Sequence, residues 1–367
     1  MFTVQDHQYM AQALRLAAQG RLTTDPNPCV GCVLVKGGKV IGEGFHKAAG
    51  QSHAETVALA QAGAATNGCT AYVTLEPCNH FGRTPPCSQA LVDAGVSEVV
   101  VAMMDPDPRT AGAGLQTLTQ AGVRTRVGLM ETEARALNVG FVSRHERRRP
   151  WLRVKLATSL DGQTAAADGE SQWITGPEAR ADVQQWRARA SAVVTGIGTV
   201  LADDPLMDVR HPQSSRQPLR MVIDSAGRLP PTARILDRPG DVHVFSAAPA
   251  PSWVDGRLTW HRVKANGVGR VDLSAAMAIW QTMGLNEVHI ESGPVLAGAW
   301  LETGWVDELL IYQAPVLLGQ GRPLARLTGL RQFDQRLQLK QMDARQIGQD
   351  WRFRYQINNT QSETGSA

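Results

Sequence analysis

The side chains best suited to chemistry are His53 and Glu55 in His53-Ala54-Glu55, Cys78 directly after Pro77, and Cys87. One imidazole and two thiolates make a donor set for zinc, which favours nitrogen and sulfur and, in catalytic sites, takes three protein ligands plus water. Two thiolates offset the cation's charge, so bound water loses a proton without leaving the site strongly cationic. Zinc brings the pKa of such water to about 7. Glu55 is then the group that takes the proton and returns it to the leaving group, work worth roughly 10²- to 10⁴-fold in rate. The plainer reading of Cys78 and Cys87 is a pair of buried structural cysteines. His80, between them, is a rival ligand, a substrate contact or an ordinary loop histidine.

These residues need elements to hold them. Thr70-Ala71-Tyr72-Val73-Thr74-Leu75 reads as a strand running into Glu76-Pro77-Cys78, and Cys87 opens a helical stretch stopped by Gly95. His53 opens a second helix through Leu59-Ala60. Two ligands then sit at helix N-termini, where the dipole favours negative charge. An i, i+2 pair does not share a face of a regular helix, so His53 and Glu55 meet at one metal only through an irregular helix entry. Around them the order of elements is a helix near 4–19, a hairpin turning at Lys36-Gly37-Gly38-Lys39, strands near Val96 to Met103 and Arg124 to Val127, and a helix from Gly114 to Gly122. This alternation predicts a three-layer α/β/α sandwich.

The order His-x-Glu, Pro-Cys, Cys resembles that of the zinc-dependent nucleobase deaminases. It departs from their common Cys-x-x-Cys spacing, because Asn79 to Pro86 separate the two cysteines. The residues in that gap point to one family. Glu76-Pro77-Cys78-Asn79-His80, Gly82-Arg83-Thr84-Pro85-Pro86-Cys87 and, upstream, Pro26-Asn27-Pro28-Cys29-Val30-Gly31-Cys32 resemble the bifunctional riboflavin-biosynthesis deaminase/reductase. So do Lys155 to Gly162, Gly169-Glu170-Ser171-Gln172-Trp173-Ile174-Thr175 and Leu201-Ala202-Asp203-Asp204-Pro205. The resemblance extends from about residue 5 to about residue 355.

It implies an α/β chain with a cytidine-deaminase-like domain (1–146) and a dihydrofolate-reductase-like domain (147–357); the tail 358–367 reads as disordered because it is polar and rich in small residues. It implies one zinc ion per chain on His53, Cys78 and Cys87, with Glu55 catalytic and Asn27 touching a phosphoribosyl pyrimidine. In the second domain it implies NADPH contacts from Ala157, Trp173, Thr199, Asp203, Ser225 and the run Gly293, Pro294, Val295, Leu296, Ala297, Gly298 and Ala299. Ser171, Arg187, Met207, Arg210 and Glu291 are the implied substrate contacts. Reduction of a ring-opened sugar needs a group to protonate the product; Lys155 and Glu291 are the candidates, with Asp161 orienting them. Without the resemblance, Thr195 to Thr199 and Ser292 to Gly298 are strand-to-helix turns that fit an anion but lack a dinucleotide fingerprint. Likewise a lone arginine reads as surface charge, although its planar fork suits phosphate, and Trp173 reads as core.

Composition bounds the rest. With 367 residues, 43% of them hydrophobic, the chain can form two domains with separate cores. A net charge of +3 does not announce nucleic-acid binding, although a tRNA or nucleoside deaminase shares the zinc chemistry. A zinc-stabilised scaffold without activity has no need of Glu55. Cys29, Cys32 and Cys69 read as buried thiols in a reducing compartment. The Cys29-x-x-Cys32 spacing admits a redox or second metal site, but it lies in a strand with no partner pair. Arg144 to Pro150 reads as a basic linker. Neither a signal peptide nor a membrane span is visible, so the expectation is a cytoplasmic enzyme with no membrane or nucleic-acid partner. Self-association through the second domain, as a dimer, is what the family resemblance implies.

Overall fold

The computed structural model describes residues 1–80, 86–212, 214, 216–256 and 258–358, and divides into two compact units, Met1–Arg148 and Arg149–Ala367. The expected tail beyond Asn358 and the gap residues 81–85 lie outside the described residues.

In the first unit, α1 (Val4–Ala18) precedes the hairpin β1 (Gly31–Lys36) and β2 (Lys39–Phe45). Then come α2 (Ala54–Ala62), β3 (Thr70–Val73), α3 (Cys87–Asp93), β4 (Glu98–Val101), α4 (Ala113–Gln120), β5 (Arg124–Val127), α5 (Glu131–Leu137) and α6 (Val139–Glu146). The sheet order is β2-β1-β3-β4-β5, with β1 antiparallel to both its neighbours and β3, β4 and β5 parallel. Successive strand residues face opposite sides, which produces two cores. Val33, Val35, Tyr72 and Val100 pack with Met10 and Ala13 of α1 and with Ala134, Phe141 and Val142 of α5 and α6. Cys32, Leu34, Ala71, Val73, Val99 and Val101 pack with Ala54 and Ala58 of α2, Leu91 of α3 and Leu118 of α4. The three layers are those the alternation predicts.

The basic run is not a loose linker. Arg144, His145 and Glu146 end α6, where cations suit the helix C-terminus. Arg149 forms a two-pronged pair with Asp307, at 2.8 Å on each side, and so belongs to the second unit.

That unit contains β6 (Trp151–Thr158), β7 (Gln163–Ala165), α7 (Pro177–Arg189), β8 (Ala192–Gly196), α8 (Ile197–Asp203), β9 (Leu219–Ile223), β10 (Val242–Ser246) and β11 (Thr259–Arg262). It continues with α9 (Leu273–Thr282), β12 (Glu287–Glu291), α10 (Pro294–Glu302), β13 (Val306–Gln313), β14 (Arg322–Pro323), β15 (Leu339–Ile347) and β16 (Asp350–Ile357). The large sheet runs β11-β10-β9-β8-β12-β6-β13-β16-β15. It is parallel from β11 to β13 and ends in the antiparallel strands β16 and β15. Trp280 of α9 and Trp300 of α10 stack at 5.0 Å in the core of one face, while α7 and α8 pack on the other. A parallel sheet carrying an antiparallel C-terminal pair is the arrangement expected of a dihydrofolate-reductase-like domain.

Candidate active sites

His53 is the N-cap of α2, with extended backbone (φ −73°, ψ 162°), and Glu55 lies in the first turn beyond it. This non-helical entry swings the imidazole toward the space that Glu55 faces, which a regular i, i+2 pair would not allow. Cys87 is the first residue of α3, and Cys78 sits on the loop after β3. The His53 Nδ1 atom stands 3.3 Å from Cys87 Sγ and 3.5 Å from Cys78 Sγ. A tetrahedral zinc with ordinary Zn–N and Zn–S lengths places such atoms about 3.5 Å apart, so the donor set fits the ion in both chemistry and spacing. Among the described residues this is the one cluster of its kind.

Glu55 is buried, 3% exposed, and is pushed up to about 7 by burial first and by the nearby Cys78 thiolate second. A bound cation opposes both causes and draws the carboxyl back toward ionisation. His80 is exposed and stands outside the ligand cluster. Cys29, Cys32 and Cys69 are buried free thiols.

The structure adds a histidine that no sequence motif singles out. His46 Nδ1 lies 3.1 Å from the Ser52 carbonyl, which can only accept, so Nδ1 carries the proton. Burial lowers the His46 pKa and favours the neutral ring, leaving Nε2 to accept from Asn27 Nδ2 at 3.1 Å. Its ring meets that of His53 edge-on at 5.4 Å. Asn27 thus reaches the zinc ligands through His46, with its amide oxygen as the end left for another group.

The second unit holds a cleft of about 1430 Å³ at the carboxyl ends of β6, β8, β9 and β12, where open α/β sheets bind ligands. That volume exceeds the roughly 300–1,000 Å³ of an ordinary small-molecule pocket and has room for a dinucleotide beside a substrate. Gly196 and Gly293 are the N-caps of α8 and α10, and neither helix start is capped by a side chain. Their N–H groups suit phosphate. Lys155, Ala157, Ser171, Trp173, Arg187, Thr199, Asp203, Met207, Arg210, Ser225 and Glu291 all line this cleft. So do Gly293, Pro294, Val295, Leu296 and Ala299. Trp173 is 69% exposed, with the Arg180 guanidinium 4.6 Å from its ring centre, so it is not a core residue.

Four expectations change. Ala297 is fully buried in the core, and a Cβ on Gly298 would stand 1.9 Å from the Arg326 carbonyl oxygen; neither lines the cleft. Gly298→Ala should therefore lower stability by about 1–3 kcal/mol through overpacking, read as a lower melting temperature of the reductase unit. Asp161 accepts from the backbone N–H groups of Leu318 and Gly319 and lies outside the cleft lining, so it clasps a loop rather than orienting Lys155. Arg187 is not an open phosphate fork: its Nε and Nη2 donate to Glu291 at 2.6 and 3.0 Å, and its Nη1 donates to the Asp208 carbonyl. The fourth change follows from this pair. Arg187 holds the Glu291 carboxyl well below the usual range, so Glu291 is a carboxylate and not a proton donor. Arg210 lines the cleft with a side chain 59% exposed, its guanidinium 3.6 Å from the Asp208 carboxylate.

A three-donor nitrogen–sulfur site with a buried carboxyl beside it, and a nucleotide-sized cleft at the sheet ends of a second unit, fit a zinc-dependent deaminase joined to a reductase. Residues 3–103 match the cytidine and deoxycytidylate deaminase zinc-binding region, and residues 150–353 match the RibD C-terminal domain. The chain is 47% identical to the riboflavin biosynthesis protein RibD of Escherichia coli (strain K12), covering 95% of this chain and 98% of that protein. Against the Haemophilus influenzae RibD the identity is 43%, with 96% and 98% covered. A solved structure of Acinetobacter baumannii RibD superimposes with a TM-score of 0.89 at 44% identity, over 96% of this chain and 99% of that one. One from Thermotoga maritima, described as a diaminohydroxyphosphoribosylaminopyrimidine deaminase/5-amino-6-(5-phosphoribosylamino)uracil reductase, gives 0.88 at 28% identity, with 96% and 99% covered. The chain belongs to the RibD family. It is a bifunctional enzyme of riboflavin biosynthesis, with a zinc-dependent deaminase and an NADPH-dependent reductase.

Proposed function

We propose that the first unit hydrolytically deaminates 2,5-diamino-6-(5-phosphoribosylamino)pyrimidin-4(3H)-one, releasing ammonia. The second unit then reduces the ribosyl group of the resulting 5-amino-6-(5-phosphoribosylamino)uracil to ribityl. The observation that carries this reading is the presence, on one chain, of the His53, Cys78 and Cys87 donor set beside Glu55 and of a cleft bearing both Lys155 and Arg210.

Zinc, when bound by His53, Cys78 and Cys87, supplies an activated water. Glu55 carries two protons in turn: the first, taken from the attacking water, goes to the ring nitrogen, and the second, taken from the hydroxyl left on the carbon, goes to the amine as it departs. Asn27, its Nδ2 tied to His46, accepts from the pyrimidine through its amide oxygen. NADPH, when bound, supplies a hydride for C1′ of the opened sugar. Lys155 delivers the accompanying proton, Glu291 and Arg187 fix the sugar, and Arg210 meets the phosphate. Ala157, Trp173, Thr199, Asp203, Ser225 and the start of α10 seat the dinucleotide. The Trp351–Phe353–Tyr355 ladder of stacked rings along β16 supports self-association through the reductase unit as a dimer. No helix among the described residues is long and apolar enough to cross a membrane.

Ammonia release and NADPH absorbance followed in one cuvette, with the diaminopyrimidine as sole substrate, test the assignment. Expected is NADPH loss that lags behind and requires ammonia release. NADPH loss at full rate without deamination, or ammonia without any NADPH loss, would overturn it.

A further inference from the structure

We propose that Glu76 is the positioning residue of the zinc site, fixing Cys78 by clamping its loop to α4, a helix that supplies no ligand. The inference rests on the reading of Cys78 as a zinc ligand.

Glu76 lies two residues before Cys78 and is only 3% exposed. Among the described residues no lysine, arginine or histidine is recorded as an ion-pair partner for it. Four backbone N–H groups converge on its carboxylate. Oε2 accepts from Asp105 at 3.2 Å and Gly112 at 3.0 Å, and Oε1 from Gly114 at 3.0 Å and Leu115 at 3.3 Å. Three of those donors are at the start of α4, which is N-capped by Gly112 with no side-chain cap. A buried carboxylate there satisfies donors that the helix leaves unpaired and meets the positive end of its dipole.

The contact is close enough to be specific. A Cβ on Gly114 would stand 2.0 Å from the Pro77 carbonyl oxygen, so only glycine lets α4 lie against the residue that precedes Cys78. On the other side of the ligand, Asn79 Oδ1 accepts from Ser88 Oγ of α3 at 2.7 Å and from Thr117 Oγ1 of α4 at 3.1 Å. The Cys78 carbonyl accepts from Ser88 N at 3.2 Å, and the Cys78 sulfur from Cys87 N at 3.4 Å. His53 and Cys87 are carried by helices of their own, whereas Cys78 is on a loop. Its position is inherited from α4 through Glu76 and from both helices through Asn79.

Glu76→Gln tests this because it preserves shape and removes the match. An amide offers one accepting oxygen, and its NH2 must then face two backbone donors. In the full chain, zinc affinity is measured by competition with a chromophoric chelator, at a temperature where circular dichroism shows the variant folded. The expected result is zinc binding weakened about 10- to 100-fold, the usual scale for groups behind a metal ligand. NADPH-dependent reduction of pre-deaminated substrate should be unchanged. A residue that merely stabilises the fold lowers the melting temperature of metal-free and zinc-loaded protein alike and leaves the affinity of folded protein unaltered. A folded Glu76→Gln protein with affinity within about threefold of the parent therefore overturns the proposal. If Glu76→Gln does not fold, Glu76→Asp, which keeps the carboxylate but shortens its reach to the N–H groups of α4, decides: zinc binding weakened about 10-fold or more supports it and unchanged affinity overturns it. An unmodified chain that binds no zinc would instead overturn the ligand reading beneath it.

Discussion

Glu55→Gln should retain one zinc per chain and lose ammonia release by roughly 10²- to 10⁴-fold. The substitution keeps the size of a side chain that is 3% exposed, and Glu55 is not among the three donors grouped for the metal, so the loss should appear without loss of the ion. Proton transfer is what the amide cannot do. The reductase provides a control within the same molecule: supplied with already deaminated substrate, the variant should oxidise NADPH at the parent rate. Zinc analysis, ammonia release and NADPH absorbance on one preparation therefore separate three explanations. Zinc retained with deamination lost is the expected pattern. Deamination within about tenfold of the parent would remove Glu55 from proton transfer. Loss of zinc together with activity would make Glu55 part of the metal's support instead.

What the sequence made legible and what it hid follow one physical line. His53, Glu55, Cys78 and Cys87 were legible because their side-chain chemistry is rare and their order is distinctive. The role of Glu76 was not, because its partners are backbone N–H groups of residues 105–115, which carry no side-chain signature. His46 was hidden for a related reason: a single histidine has no meaning until Asn27 and Ser52 are seen on its two nitrogens. In the reductase cleft the sequence presents Gly293 to Ala299 as one continuous run, but a helix turns. From Pro294 onward, residues at one rotation meet the cleft while Ala297, Trp300 and Leu301 meet the core. The engagement of Arg187 with Glu291 spans 104 residues and could be read only from the fold. In the same way, β15 is largely exposed and β16 alternates charged or polar residues with aromatic ones, so no apolar run marks either, and the basic run reads as a linker because the C-terminal turn of α6 is itself rich in cations.

Lys155→Met should abolish NADPH oxidation, by roughly 10²- to 10⁴-fold, while ammonia release stays at the parent rate. Lys155 lies at the carboxyl end of β6, directly paired in register with Glu291 on β12, and both line the cleft. Its ammonium stands 5.9 Å from the centre of the Tyr312 ring. Burial pulls its pKa down from the ordinary lysine value; the Glu291 carboxylate opposes that shift, and the Arg187 guanidinium reinforces it. The three groups divide the work. Glu291 is pinned as a carboxylate by Arg187 and has no proton to give, which is why the acid role is proposed for Lys155. The sign of the pH dependence follows. The donating form is the protonated one, so reduction should be constant on the acid side and fall as pH rises through the lowered pKa, earlier than an ordinary lysine would allow. Breaking the pair by Glu291→Gln removes the carboxylate that stabilises the ammonium, and the alkaline fall should move to still lower pH. A Lys155→Met protein that oxidises NADPH at the parent rate would remove Lys155 from the mechanism. A Glu291→Gln profile displaced to higher pH would reverse the assignment of which group holds the proton and which steadies it.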